Sequence, residues 1–271
     1  MTGLITHIQR MSLHDGPGIR STIFMKGCNL RCVWCHNPET FSALPELGWA
    51  EQKCIQCHAC LTVCPSGAMM LKFDRIGFDK SKCMSCFDCV NVCYPEAIYK
   101  VGKSVTAGAL VDETRQDFEY FYQSGGGITF SGGEPLLQTD FIVEALTSYK
   151  SENIHTAIET NLSMPWEKYM QILPITDLIM ADIKMINSEK HKQFTGKTND
   201  RILTNILKLD QTGVRYILRT PLVPGINDDS EEKAQIEKFV GGIKNLEKHE
   251  WLPYHGLANG KYKNLGIPKM Y

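Results

Sequence analysis

Thiols at close, regular spacing are candidate metal ligands, and this chain concentrates them. Three of its 11 cysteines lie between Cys28 and Cys35, eight lie between Cys54 and Cys93, and the 178 residues after Cys93 contain none. A disulfide framework would spread its bridges along the chain, and an odd count leaves one cysteine over. The denser group is an internal repeat with a period of 29 residues: Cys54, Cys57, Cys60 and Cys64 recur as Cys83, Cys86, Cys89 and Cys93. Lys53/Lys82, Val63/Val92 and Ala68/Ala97 keep the same register. Pro65 follows the first run directly, whereas Tyr94 separates Pro95 from the second.

Two runs of Cys-x2-Cys-x2-Cys-x3-Cys match the bacterial two-cluster ferredoxin spacing, in which the fourth cysteine of each run crosses to the other cluster. This predicts one 4Fe–4S cluster on Cys54, Cys57, Cys60 and Cys93, and a second on Cys83, Cys86, Cys89 and Cys64. Zinc is the alternative, but it needs only two Cys-x2-Cys pairs per ion and leaves the third evenly spaced cysteine unexplained. The separate run Cys28-x3-Cys32-x2-Cys35 offers three thiolates and no fourth. Three protein ligands on a 4Fe–4S cluster leave one iron open to a substrate; zinc with His36 as fourth ligand is the competing assignment.

Such chemistry needs a scaffold that brings distant segments to one face. Strand-like runs are expected at Ser21–Lys26, Gly127–Phe130, Ile154–Glu159, Asp177–Ile183, Val214–Arg219 and Trp251–His255. Between them Asp112–Gln123, Thr139–Ser151, Pro165–Leu173, Arg201–Gln211 and Ser230–Gly241 read as helices. The alternation implies an α/β fold of parallel strands with right-handed crossovers, and six strands suit a partial (β/α)6 barrel better than a closed eight-stranded one. Residues 1–47 would begin the barrel and carry the first cysteine loop. Residues 48–104 would form an inserted α+β ferredoxin-like domain, and residues 105–271 would complete the barrel.

Catalytic groups of parallel barrels sit beyond the C-terminal strand ends. There the sequence places the Cys28–Cys35 loop, Ser131–Pro135, Glu159-Thr160-Asn161, Asp182 with Lys184, Arg219, and His255. Each alone has an ordinary explanation, as a turn, a solvated charge or a core residue; their coincidence at one face reads as a site. A formal net charge of −1 argues against nucleic acid, which selects basic faces. No apolar run approaches the ~18 residues of a membrane span, and Met1–Met11 has no apolar leader core, so a cytoplasmic protein is expected.

Cys-x3-Cys-x2-Cys with an aromatic residue just before the last cysteine is the motif of the radical S-adenosylmethionine (SAM) enzymes. The sequence further resembles the glycyl radical enzyme-activating enzymes, whose best-known member activates pyruvate formate-lyase. The resemblance is carried by Asp15-Gly16-Pro17-Gly18-Ile19-Arg20, Cys28 to Glu39, Ser131 to Pro135, Met180 to Lys184 and Leu252 to His255. The two-cluster insert resembles that of the subgroup activating dehydratases, decarboxylases and carbon–nitrogen lyases.

The resemblance implies a radical SAM barrel in which Cys28, Cys32 and Cys35 hold the cluster that chelates SAM. Gly132, Gly133 and Glu134 would meet the methionyl amine, Trp34 the adenine, and Asp182, Lys184 and His255 would belong to the SAM site. Glu159, Thr160, Met180 and Asp182 match a monovalent-cation site, and Arg219, Asp15 and Arg20 would face a docked glycyl loop. The implied activity is reductive cleavage of SAM, followed by hydrogen abstraction from a glycine of a partner glycyl radical enzyme under anaerobic conditions. Flavodoxin or ferredoxin would be the electron donor, and the protein would be a monomer. Glu159 and Leu162 depart from the family pattern around the cation site, and the chain ends at Tyr271, short of the usual terminal helix. Competing readings are a radical SAM enzyme acting on a small molecule or peptide, and a non-catalytic iron–sulfur electron carrier.

Overall fold

Runs of buried aliphatic, aromatic and hydroxyl side chains form the strands of an eight-stranded sheet in the computed structural model, which describes residues 1–271. Strands β1 (Thr2–Ser12) and β2 (Arg20–Met25) precede a cysteine-rich segment containing β3 (Glu46–Trp49), β4 (Met69–Lys72), β5 (Arg75–Phe78) and β6 (Ile98–Val101). They are followed by β7 (Lys103–Thr106), β8 (Gly127–Gly132), β9 (His155–Thr160), β10 (Leu178–Asp182), β11 (Tyr216–Leu222) and β12 (Lys248–Pro253). The sheet order is β12-β11-β10-β9-β8-β2-β1-β7. Six strands, from β12 to β2, run parallel, while β1 is antiparallel to both β2 and β7.

All six expected strands are present, with shifted ends. The last ends at Pro253, so His255 lies beyond it. Helices α1 (Ala59–Val63) and α2 (Asp88–Asn91) belong to the cysteine-rich segment. The helix expected at Asp112–Gln123 is two helices, α3 (Ala107–Thr114) and α4 (Phe118–Ser124), broken by a tight turn at Arg115–Asp117. The break has a physical cause, because the buried Asp117 carboxylate turns inward to accept from Arg10 Nε at 2.8 Å and Ser21 Oγ at 2.7 Å. Next come α5 (Thr139–Ser151), α6 (Trp166–Ile172), α7 (Ser188–Thr195), α8 (Asp200–Leu209), α9 (Ser230–Gly241) and α10 (Asn259–Leu265). Helices α5 and α9 match their expected bounds. The main core gathers apolar residues of the sheet and of α3, α4, α5, α6, α8 and α9. No helix is long and apolar enough to cross a membrane.

The cysteine-rich segment keeps its own sheets and core. Strand β3 pairs antiparallel with β6, and β4 with β5. Leu47, Met69, Ile76 and Ile98 pack with Cys60 and Cys89 in a cluster separate from the main core. A buried lysine joins the two parts: Lys26 Nζ lies 2.8 Å from Glu46 Oε2, whose other oxygen lies 2.7 Å from Lys80 Nζ. After β12 the chain turns back, and α10 packs on the Pro38–Thr40 turn and on β3.

Candidate functional site

The Cys28–Cys35 loop leaves the C-terminal end of β2 and is held from several sides. Arg31 N and Val33 N donate to the carbonyls of Thr195 and Phe194 at the end of α7, at 2.7 and 3.0 Å. Asn29 Nδ2 donates to Ser163 Oγ at 2.7 Å, tying the loop to the segment after β9. Burial pushes the Cys28 and Cys35 thiols up and takes Cys32 to about 12. Such thiols stay protonated without a metal and lose the proton to it on binding. Trp34 is buried beside Leu30, Met185, Val223 and Ile226.

Lys184, beyond β10, supplies the nearby positive charge. Its Nζ lies 2.6 Å from Asp182 Oδ2. Burial alone would lower its pKa, but the Asp182 carboxylate, and the Cys32 sulfur once deprotonated, outweigh that effect and raise it, so the ammonium persists at neutral pH. The Ser131-Gly132-Gly133-Glu134 segment at the end of β8 lies against the start of the cysteine loop. Gly133 N donates to the Met25 carbonyl at 3.1 Å and Glu134 N to the Gly27 carbonyl at 2.9 Å. A Cβ on Gly133 would stand 1.9 Å from the Gly27 carbonyl oxygen, and Gly132 has φ +104°. Only glycine fits this close approach of the turn to the cysteine loop.

Glu134 is enclosed rather than presented. Its oxygens accept from Thr160 Oγ1 at 2.9 Å, Asn161 N at 3.0 Å and Leu136 N at 3.1 Å. Burial pushes its carboxyl up to about 7. Thr160 is therefore turned toward Glu134, while Met180 sits with Ala157, Leu178 and Ile217 in a small apolar cluster. Glu159 accepts from Ser131 Oγ and from Arg219 Nη1, the latter at 2.9 Å. The structure thus gives the four residues matched to a cation site separate engagements.

Arg219 is buried and clamps three segments. Beyond Glu159, its Nε donates to Glu250 at 3.0 Å and its Nη2 to the His14 carbonyl at 2.8 Å. The neighbouring Asp15 accepts from Ser12 Oγ and Thr22 Oγ1, both at 2.6 Å. Arg20, expected to face a docked loop, is fully buried at the N-terminal end of β2. Its guanidinium donates to Thr129 Oγ1 at 2.6 Å and to the Ile128 carbonyl at 2.5 Å. The guanidinium is thus turned into the fold rather than toward solvent. His255 is exposed and stacks on His36, with ring centroids 4.0 Å apart.

The repeated cysteines fold as two copies of one loop. Gln56 and Ser85, at matching positions, both have φ 56°, and His58 and Phe87 have φ 64° and 66°. These left-handed residues each cost of order 1–3 kcal/mol, and the nests such turns build from backbone N–H groups recur at iron–sulfur sites. Cys54, Cys57, Cys60 and Cys93 together line an otherwise mostly apolar cavity. Burial and the neighbouring Cys54, Cys93 and Cys57 push the Cys60 thiol up to about 11. Burial and neighbouring Cys64, Cys83 and Cys86 take Cys89 to about 12. Backbone amides face the fourth thiol of each run, with Met69 N 3.4 Å from Cys64 Sγ and Ile98 N 3.3 Å from Cys93 Sγ. No three Cys, His, Asp or Glu side chains converge closely enough to hold a single metal ion.

One contributor was not anticipated. Tyr262, buried on α10, donates from its hydroxyl to the Cys35 carbonyl at 3.1 Å. The only signal in the sequence is the helical spacing of Ala258, Tyr262 and Leu265, the buried side of that short helix.

Comparison with known proteins identifies the family. Residues 22–235 match the radical SAM superfamily. A (2S)-3-sulfopropanediol dehydratase activating enzyme of Klebsiella oxytoca is 40% identical, covering 98% of this chain and 86% of its own length. A trans-4-hydroxy-L-proline dehydratase activating enzyme of Clostridioides difficile is 42% identical over 98% of this chain and 88% of its own. A 4-hydroxyphenylacetate decarboxylase activating enzyme of Clostridioides difficile strain 630 is 40% identical over 98% and 86%. Among solved structures, Streptococcus suis SuiB bound to precursor peptide SuiA superposes with a TM-score of 0.50 at 17% identity, covering 62% of this chain and 36% of that one, a likeness of fold. The chain belongs to the radical SAM superfamily, and within it to the activating enzymes of glycyl radical enzymes.

Proposed function

We propose that this activating enzyme carries three 4Fe–4S clusters, one on Cys28, Cys32 and Cys35 and two in a ferredoxin-like insert spanning 48–104, and that its six parallel strands form a partial (β/α)6 barrel. The carrying observation is the three-cysteine loop at the end of β2, with the Lys184 ammonium near enough to interact with Cys32 and Cys28 and the glycine turn against its backbone. The cavity among Cys54, Cys57, Cys60 and Cys93, and the grouping of Cys64, Cys83 and Cys86 about Cys89, support the crossed ligand sets.

Cys28, Cys32 and Cys35 would hold a cluster that, when bound, would supply the electron for reductive cleavage of SAM to methionine and a 5′-deoxyadenosyl radical able to take a hydrogen atom from a glycine Cα of the partner. The chain's own residues bind, orient and exclude water. Gly132 and Gly133 let the methionyl end approach the backbone, while Glu134 fixes that turn through Thr160 and Asn161. Lys184, with Asp182, sets the charge beside the thiolates and contacts SAM, whose adenine lies toward Trp34. His255 closes over the same face. Arg219 and Asp15 hold the segment before β2 in place for the docked glycyl loop. A glycyl radical enzyme is the partner, and flavodoxin or ferredoxin the donor.

Anaerobically reconstituted protein, given SAM and a strong reductant, should release 5′-deoxyadenosine, and Cys32→Ser should release none while the insert clusters remain. Cleavage that survives Cys32→Ser would place the reactive cluster elsewhere.

A further inference from the structure

Helix α10 touches the approaches to all three cysteine runs. Toward the first, Tyr262 donates to the Cys35 carbonyl, and Lys261 Nζ lies 2.6 Å from Glu39 Oε1 and 2.8 Å from Asn37 Oδ1. Toward the second, Lys263 Nζ lies 2.9 Å from Glu51, three residues before Cys54. Toward the third, Gly266 at the end of the helix approaches Lys80, three residues before Cys83, closely enough for an added Cβ to sit 3.4 Å from Lys80 Cβ. The helix and the glycine that caps it thus meet segments of the barrel and of both halves of the repeat.

The Lys263–Glu51 pair is an exposed surface contact, but those made toward the first run are not. Tyr262 is buried, and Glu39 is nearly so, with its Oε2 unpartnered and its Oε1 held by Lys261. Removing Lys261 would leave a buried carboxylate uncompensated, which an exposed ion pair would not. Lys26, Glu46 and Lys80 form a second bridge on the same side, from the end of β2 through β3 to the loop before Cys83.

We propose that α10 is a strap that locks the three cysteine loops into one rigid frame, with Tyr262 and Lys261 as the positioning residues that fix the separation of the SAM-binding loop from the insert loops. The proposal rests on the reading that both halves of the repeat hold clusters. It gives the helix a mechanical role distinct from substrate binding: separation sets how readily an electron passes between centres, and a loose insert would have no constant separation.

The test is hydrogen–deuterium exchange on the anaerobic, fully reconstituted protein, with iron measured on the same samples. Lys261→Met directly disturbs only Asn37 and Glu39. Amides of residues 36–40 should exchange about tenfold faster, and those of 51–54 and 80–83 should accelerate with them, while β8 and β9 stay unchanged. Lys263→Glu, which repels Glu51, should reach 36–40 from the other end, and Glu51→Lys should restore protection. Spin–spin broadening in the fully reduced protein should diminish in both single variants. Acceleration confined to the segment each substitution touches, in protein holding about 12 iron atoms per chain, would overturn the strap. About 4 iron atoms in the parent would instead overturn the cluster reading on which it stands.

Discussion

Thr160 Oγ1 lies 2.9 Å from both carboxylate oxygens of Glu134, so the ends of two neighbouring parallel strands are joined by one hydroxyl. The pair is buried and shares its contacts with Asn161 N and Leu136 N. Glu134→Gln and Thr160→Val should each lower stability by about 1–3 kcal/mol, because each strands a buried partner. The double variant should lose less than the sum by ~1 kcal/mol in an anaerobic denaturation cycle. Both should weaken SAM binding with iron content unchanged, since the glycine turn loses its anchor. Additive losses would show that the two act separately.

The same carboxylate predicts a pH dependence. Burial raises Glu134 from 4.5 to about 7. A raised carboxyl pKa makes its stabilising contribution complete below the unfolded value and lost as pH rises through the folded one. The stability gap between the parent and Glu134→Gln should therefore narrow between pH 5 and pH 8. A gap that widens over that window would contradict the assignment.

Lys184→Met should leave iron content intact and make the SAM-loop cluster harder to reduce. A positive charge that interacts with the thiolates, at an effective dielectric of about 20, is worth about 1–3 kcal/mol, or about 40–130 mV for one electron. Redox titration followed by electron paramagnetic resonance should show the midpoint moving to more negative values. An unchanged or more positive midpoint would remove Lys184 from the cluster's electrostatic environment.

Arg20→Met should act on folding rather than on partner contact. The guanidinium is fully buried and serves Thr129 and the Ile128 carbonyl at the strand ends remote from the cysteine loop. Removing it should cost about 3 kcal/mol or more, read as a lowered melting temperature, while folded protein keeps its affinity for SAM. Wild-type stability combined with lost binding of the glycyl partner would restore the docking role that its sequence motif suggests.

Cys57→Ser and Cys86→Ser should separate the two iron–sulfur parts. Each should remove about four iron atoms and leave the Cys28–Cys35 loop intact. With a strong chemical reductant both should still form 5′-deoxyadenosine, and with a protein donor such as reduced flavodoxin both should fail. Equal loss under both reductants would give the insert a structural task instead of a relay.

The chemistry was more legible in the sequence than the supports beneath it. The cysteine spacing announced both loops because ligand geometry is local, and the 29-residue repeat reappears in the matching φ values of Gln56/Ser85 and His58/Phe87. Periodicity recovered α5 and α9 because each has a clear boundary signal, a polar N-cap at Asp229 for one and a 13-residue amphipathic run for the other. It missed α7, whose only buried residues are His191 and Thr195 and which therefore carries little apolar pattern. It also missed β1, which pairs antiparallel with strands on both sides and whose apolar residues Leu4, Ile5 and Ile8 are interrupted by exposed polar ones. Side-chain engagements such as Glu159 with Arg219, or Glu134 with Thr160, join residues 60 and 26 positions apart, and no local pattern encodes which carboxylate takes which partner.

The pairing of β3 with β6 bears on how such a chain can be built and rebuilt. Glu46 and Val101 face each other across this ladder, so the intervening stretch begins and ends at one point in space. To strands β2 and β8 it is topologically a hairpin, and a loop's closure entropy grows by only about 0.6 kcal/mol for each doubling of its length. The segment is therefore a cassette: excised at that junction and replaced by a two-residue turn, it should leave the parallel register of Arg20 with Gly127 unaltered.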